Sequence, residues 1–298
     1  MYSTGDKTVF KSAATVILVR PSESAGWKLF LARRHHKQSF MAGAYVFPGG
    51  QVENHDKSPE MKSYLKKGPG FNPSGILQED NLSEAEALGF FVAAIRETFE
   101  EVGILLGGSA SGEFVSFHDK NIRARYTEHR RRLYASEITL VDIAREEGIL
   151  FFPEVLLPYA HWITPDFEKM RFDTRFFLAK LPPEQRPVAD ATELTESLWV
   201  APKKALEMHS KKEIVLMPPT LKTIEELSAF ESIDKLFAAT AKKDIYPILP
   251  QLAGKYLLLP HDPEYNIADY KRPGDTKNPS RITSENGVWQ TAYYENEC

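Results

Sequence analysis

The chain has 298 residues, 42% hydrophobic and 26% charged, an ordinary globular composition that suits one large domain or a domain with an appendage. A net charge of −4 gives no global nucleic-acid signature, and no apolar run approaches the roughly 18–20 residues of a membrane span. The single cysteine, Cys298, rules out a disulfide framework within the chain and argues against a cysteine-ligated metal site, so a reducing compartment, the cytoplasm, is expected.

In chain order, "AATVILVR" (13–20) and "WKLFLAR" (27–33) predict two strands joined by a Pro/Ser/Gly turn. "AYVFPGGQVE" (44–53) predicts a short strand running into a Pro-Gly-Gly turn. Residues 57–82 hold three prolines and three glycines with no sustained period, which predicts an inserted loop. Ser83 and Glu86 have the spacing of a capping box and Gly103 that of a C-terminal stop, so 83–103 predicts a helix. A mostly helical stretch follows from about 118 to 148, and its run "RARYTEHRRR" (123–132) reads as a solvated helix face. "AHWITP" (160–165), "TRFFLAKLP" (174–182) and "ESLWVAP" (196–202) predict strands. Residues 218–242 predict one strong helix, and the polar tail from about 261 predicts a wrapped or loosely ordered arm. An opening hairpin with interleaved strands and helices favours a mixed sheet covered by helices.

The predicted helix carries the chemistry. On a wheel of about 100° per residue, Leu88, Phe91, Val92, Ile95, Phe99 and Val102 form one stripe, while Glu97, Glu100 and Glu101 share the opposite face. The residues alone leave two readings open. An amphipathic helix turns its acids to water, or the carboxylates hold a divalent cation. Three acids within one turn repel, and they stand near the negative end of the helix dipole; a cation relieves both penalties. An oxygen-only ligand set suits Mg²⁺ or Mn²⁺.

"RETFEEVGI" (96–104) resembles the C-terminal half of the signature of the Nudix hydrolase superfamily, through Arg96, Glu97, Glu100, Glu101, Gly103 and Ile104; Thr98 stands where the pattern has an aliphatic residue. "FPGG" (47–50) resembles the approach to the signature glycine, Gly50, and Asp56 replaces the glutamate expected six residues later. Gly50 and Arg96 are separated by 46 positions against fourteen in an uninterrupted signature, so the box is split by about 32 residues. The split, with "RFDTRFFLAKLP", "ESLWVAPKKALE", "PPTLKTIEELSAF" and "LLLPHDPEY" downstream in order, resembles the coenzyme A diphosphatase-like branch over about residues 13–265. Part of a coenzyme A motif of another branch is in register at Leu31, Arg34 and Gly43, with departures at Ala32, His35 and Ser39.

The resemblance implies an α/β fold: a Nudix α/β/α sandwich with a mixed β-sheet, helical insertions and a C-terminal helical extension. Residues 1–215 would form the Nudix domain, with insertions at about 57–82 and 107–158, and 216–298 a helix and tail packed on it. It implies metal-dependent hydrolysis of a phosphoanhydride, with Mg²⁺ or Mn²⁺ held by Glu97, Glu100 and Glu101. Arg96 would orient the carboxylates, and Glu97 or Glu193 would serve as general base, Glu193 also as an extra ligand. Gly49, Gly50, Arg33 and Arg34 are the substrate-binding candidates, with Lys37 a further cation; alternation along a strand lets at most one of Arg33 and Arg34 serve. Coenzyme A or an acyl derivative is the leading substrate, ahead of ADP-ribose, NADH, a dinucleoside polyphosphate or a non-catalytic nucleotide-binding module. The expected partner is a small nucleotide-derived molecule, with no nucleic acid or membrane, and a homodimer is the candidate assembly. Residues 57–82, with Lys57, Lys62, Lys66 and Lys67, are expected to rim the cleft, and Gly50 to lie beside the helix despite the split.

Overall fold

A computed structural model describes residues 10–24, 26–36, 41–188 and 194–295. The elements run β1 (Lys11–Ser22), β2 (Gly26–Arg34), β3 (Tyr45–Val46), β4 (Gly49–Gln51), α1 (Pro73–Leu77), α2 (Glu84–Val102), β5 (Gly107–Gly108), α3 (Lys120–Tyr134), α4 (Leu140–Glu147), β6 (Leu150–Phe151), β7 (Leu157–Ile163), β8 (Phe172–Lys180) and β9 (Leu194–Val200). After them come α5 (Pro202–Ser210), α6 (Pro218–Leu227), α7 (Ile233–Thr240), β10 (Pro247–Ile248), β11 (Gln251–Ala253), β12 (Tyr256–Leu258), β13 (Arg281–Glu285) and β14 (Val288–Ala292).

The main sheet has the order β10-β7-β8-β1-β2-β3, with β4 also on β1 and β9 also on β2. β1 runs parallel to β8 and antiparallel to β2, so the sheet is mixed. Alternation along β1 divides the core. Ala14, Val16 and Leu18 pack with α2, while Ile17 and Val19 pack with α5, α6 and α7 through Ala205, Leu221, Ile224 and Leu236. This is the α/β/α sandwich that the resemblance implies.

α2 starts at Ser83 with a reciprocal capping box to Glu86 and ends at Gly103, whose φ of 71° is the left-handed cap that glycine adopts without strain. The helix is not half solvated as an amphipathic wheel suggests. It is buried on nearly every side, and Thr98 fills the aliphatic slot of the pattern by donating its hydroxyl to Ala94 O at 2.7 Å.

Several sequence expectations need correction. Residues 57–82 are not an irregular loop: they form a 3-10 turn (Pro59–Tyr64) and α1, and bury Met61, Leu65 and Leu77 against the α2 side of the core. The long helix over 218–242 breaks after Leu227, because Ser232 caps a new helix by accepting from the Lys235 amide. The tail is no loose arm: β11–β14 form a four-stranded antiparallel sheet. Asp262, fully buried, holds that sheet by accepting from Ser280 Oγ at 2.6 Å and Arg281 Nε at 2.9 Å. Thr291 in β14 donates to Glu225 of α6 at 2.8 Å, and β10 joins the main sheet beside β7. Among the described residues, no helix is long and apolar enough to cross a membrane.

Candidate active site

β4 brings the glycine turn against β1, with Gly50 opposite Ala14 and Gly49 opposite Thr15. Neither glycine has room for a side chain. A Cβ on Gly49 would lie 2.2 Å from Ala14 O, and one on Gly50 would lie 2.4 Å from Glu97 Oε1. The two halves of the split signature therefore meet in space.

Arg96 ties them together. Its guanidinium donates from Nε and Nη2 to the two oxygens of Asp56, both at 2.9 Å, and from Nη2 to Gln51 O at 2.7 Å. Nη1 donates to Glu97 Oε1 and Glu100 Oε2, each at 2.8 Å. Arg96 is 2% exposed and Asp56 0%, so this is a buried, fully engaged ion network, the case in which charge inside a protein is tolerated. Asp56 is thus not a solvated loop residue; it is the counter-ion that fixes Arg96 and, through Glu53 N–H at 2.8 Å, the loop that follows β4. Burial works against the charged guanidinium, but the Asp56 hydrogen bonds and the carboxylates of Glu97, Asp56 and Glu100 outweigh it and hold Arg96 protonated.

The carboxylates divide by environment. Burial pushes Glu97 up to about 7, opposed by Arg96 and reinforced by Glu100. Burial also raises Glu100, with Asp56 and Glu53 adding to it. Glu101, 4% exposed, accepts the Gly49 amide on Oε2 at 2.8 Å, which pins the glycine turn to the helix. Arg130 of α3 covers the end of α2, donating to Glu100 O and Glu101 O at 2.7 Å, a cation where the helix dipole favours one.

A cleft of about 660 Å³ opens on the sheet face opposite α2. Glu97 is the one signature carboxylate in its lining, which it reaches at the bare Gly50 position beside Thr15 and Gly49. Arg34 also lines the cleft, whereas Arg33 turns to β9 and pairs with Glu196 at 3.2 Å. Glu193 and Lys37 lie outside the described residues. No residue of 57–82 lines the cleft, contrary to expectation; Lys62 pairs with Glu84 at the start of α2, and Lys57 packs over Gly89. Sequence reasoning missed Glu53, whose charge acts on Glu100, because a lone acid after a turn carries no spacing signal. Trp162, buried in the core, also forms part of the cleft wall.

Among the described residues, no three His, Cys, Asp or Glu side chains converge at metal-ligand spacing. Arg96 and the Gly49 amide hold one oxygen each of Glu97, Glu100 and Glu101. The donor set nevertheless fits a hard divalent cation. It offers only carboxylate oxygens, and two of the three acids are raised by burial, the electrostatic condition that a cation relieves.

Comparison with known proteins decides the family. A family model described as the NUDT19 Nudix domain matches residues 8–227. The chain belongs to this Nudix family. Two curated relatives are named acyl-coenzyme A diphosphatase NUDT19: one from Xenopus laevis, 27% identical over 72% of this chain, and one from Gallus gallus, 28% identical over 86%. The chain spans 63% of the length of the first and 81% of the second. A Nudix hydrolase from Alicyclobacillus acidocaldarius superposes with a TM-score of 0.65 at 22% identity, covering 78% of this chain and 97% of that one, which fixes the Nudix fold.

Proposed function

We propose that this Nudix chain hydrolyses the diphosphate of coenzyme A or its acyl thioesters, giving 3',5'-ADP and (acyl-)4'-phosphopantetheine. The observation that carries the reading is Glu97: a half-buried carboxylate oriented by Arg96 and lining a large cleft beside two glycines. The names of the curated relatives support this substrate class. A water oxygen attacks one phosphorus, the bridging P–O bond breaks, and the second phosphate leaves as a monoester. Mg²⁺ or Mn²⁺, held by Glu97 and Glu100 with Glu101 beside them, would neutralise charge on the diphosphate oxygens and acidify water.

The chain's own groups do the rest. Arg96 keeps Glu97 and Glu100 in one orientation and is itself kept by Asp56. Glu101 fixes Gly49, so the bare glycine backbone can approach the substrate. Glu97, the signature carboxylate that lines the cleft, is the candidate general base; a cation favours its charged form, so in that role Glu100 and Glu101 would hold the ion. Arg34 supplies a positive charge at the cleft wall.

The test is a substrate panel of coenzyme A, octanoyl-coenzyme A, ADP-ribose, NADH and diadenosine polyphosphates with Mg²⁺, Mn²⁺ or EDTA. The reading requires coenzyme A or its thioester to have the highest kcat/KM, with no turnover in EDTA. Preference for ADP-ribose or a dinucleoside polyphosphate would overturn the substrate assignment.

A further inference from the structure

The active-site cleft extends well past the signature residues, and its far part has a different chemistry. Its lining takes in Phe167 and Met170 of the β7–β8 connection and Leu252, Leu257 and Trp289 of the C-terminal sheet. Among the described residues there are six exposed large hydrophobic side chains, and two of them, Phe167 at 48% and Leu252 at 56%, line this one cleft. Three of the chain's six methionines, Met41, Met170 and Met217, line it as well, offering unbranched apolar surface that adapts to a flexible ligand. Pro165, Pro218, Pro219 and Pro250 complete the walls, and proline offers no backbone N–H to a polar group. Among the described residues, the cations in the lining are Arg34 and Lys255.

We infer that this far half is a groove for the apolar acyl chain of a thioester substrate, roofed by the C-terminal sheet, and that Phe167 and Leu252 set the preference for acylated over free coenzyme A. The inference rests on the coenzyme A reading for the identity of the head group. A phosphorylated nucleoside is the poorer occupant, since this lining is mostly proline, methionine, leucine and aromatic side chains, with Lys255 as its cation and Glu168 an opposing acid. An alkyl chain loses nothing there, and each buried methylene contributes several-fold in affinity. The cleft volume of about 660 Å³ lies within the ~300–1,000 Å³ range of ligand pockets. The C-terminal sheet, which the catalytic carboxylates do not need, thereby gains a role in specificity.

Two measurements test it. The first compares kcat/KM for octanoyl-coenzyme A and coenzyme A in wild type, Phe167→Glu and Leu252→Glu; both positions are exposed enough to accept a charge without unfolding, which a melting curve checks. The wild-type ratio should favour the thioester about tenfold or more, and each variant should reduce that ratio about fivefold or more, chiefly through KM. The second follows tryptophan fluorescence in EDTA, because Trp162 and Trp289 line the cleft. Octanoyl-pantetheine, which lacks the nucleotide, should perturb the emission of wild type and not of Leu252→Glu, and 3',5'-ADP should not. An unmoved ratio in both variants, or a tryptophan change produced by 3',5'-ADP in place of octanoyl-pantetheine, would overturn the groove. If wild type binds octanoyl-pantetheine but hydrolyses no coenzyme A substrate, the substrate assignment fails while the groove stands.

Discussion

Gly50→Ala isolates the point where the two halves of the split signature meet. The added Cβ would stand 2.4 Å from Glu97 Oε1, 2.5 Å from Cδ and 2.7 Å from Oε2. An ordinary contact is about 3.5 Å, so the carboxylate must retreat by about 1 Å. Its place is fixed by Arg96 at 2.8 Å, and the retreat breaks that bond. The obstacle is the end of a flexible side chain, and Gly50 is not among the positive-φ glycines, so the fold should yield cheaply. Misplacing a catalytic group by about 1 Å costs about a hundredfold in rate, or about 2.7 kcal/mol of transition-state stabilisation. The assay is kcat/KM on coenzyme A at saturating Mg²⁺, with thermal melting on the same preparation. A loss of about a hundredfold with Tm within a few degrees is expected. Wild-type kcat/KM in Gly50→Ala would refute the idea that Glu97 acts at this position.

Glu97→Gln and Glu100→Gln should each lower kcat about a hundredfold or more while circular dichroism stays native; near-normal turnover of both at saturating Mg²⁺ would remove them from the site. Asp56→Ala should destabilise by about 3–5 kcal/mol in urea unfolding, since it leaves Arg96 buried without its main counter-ion, and an unchanged midpoint would mean that Gln51, Glu97 and Glu100 suffice. Asp173 is half-buried, which raises its pKa, but its hydrogen bond to His161 and the charge of Arg175 win and hold it at about 2. A depressed acid contributes stability above its unfolded value of 3.8 that disappears as pH falls toward 2; about 2 kcal/mol should be lost over that window and not in Asp173→Asn. Deleting 60–80 should unfold the protein, because it removes buried Met61, Leu65 and Leu77, each worth about 2–5 kcal/mol against a total stability of about 5–15.

Most strands of the main sheet and α2 were legible because alternation, the Ser83 capping box and the Gly103 stop are local signals, while the two-residue β10 was not. The meeting of Gly50 with Glu97 was legible through the resemblance, which bridges the insertion that spacing alone cannot cross. Burial of the acids was not. The wheel identifies a polar face but not what covers it, and here β4 and Arg96 cover it. The C-terminal sheet was missed because its strands are short, three to five residues, and are held by the long-range Asp262–Arg281 pair in place of a hydrophobic period. The insertion read as a loop for a related reason: its prolines and glycines build tight turns whose few apolar residues reach the core.

The most direct test of the central claim is product analysis by mass spectrometry after incubating coenzyme A with wild type and Glu97→Gln in ¹⁸O-water, with Mg²⁺ and with EDTA. The account predicts 3',5'-ADP and 4'-phosphopantetheine from wild type with Mg²⁺, one of them carrying a single ¹⁸O, and intact coenzyme A in EDTA and with Glu97→Gln. Intact coenzyme A in the wild-type reaction, or equal cleavage by Glu97→Gln, would contradict it.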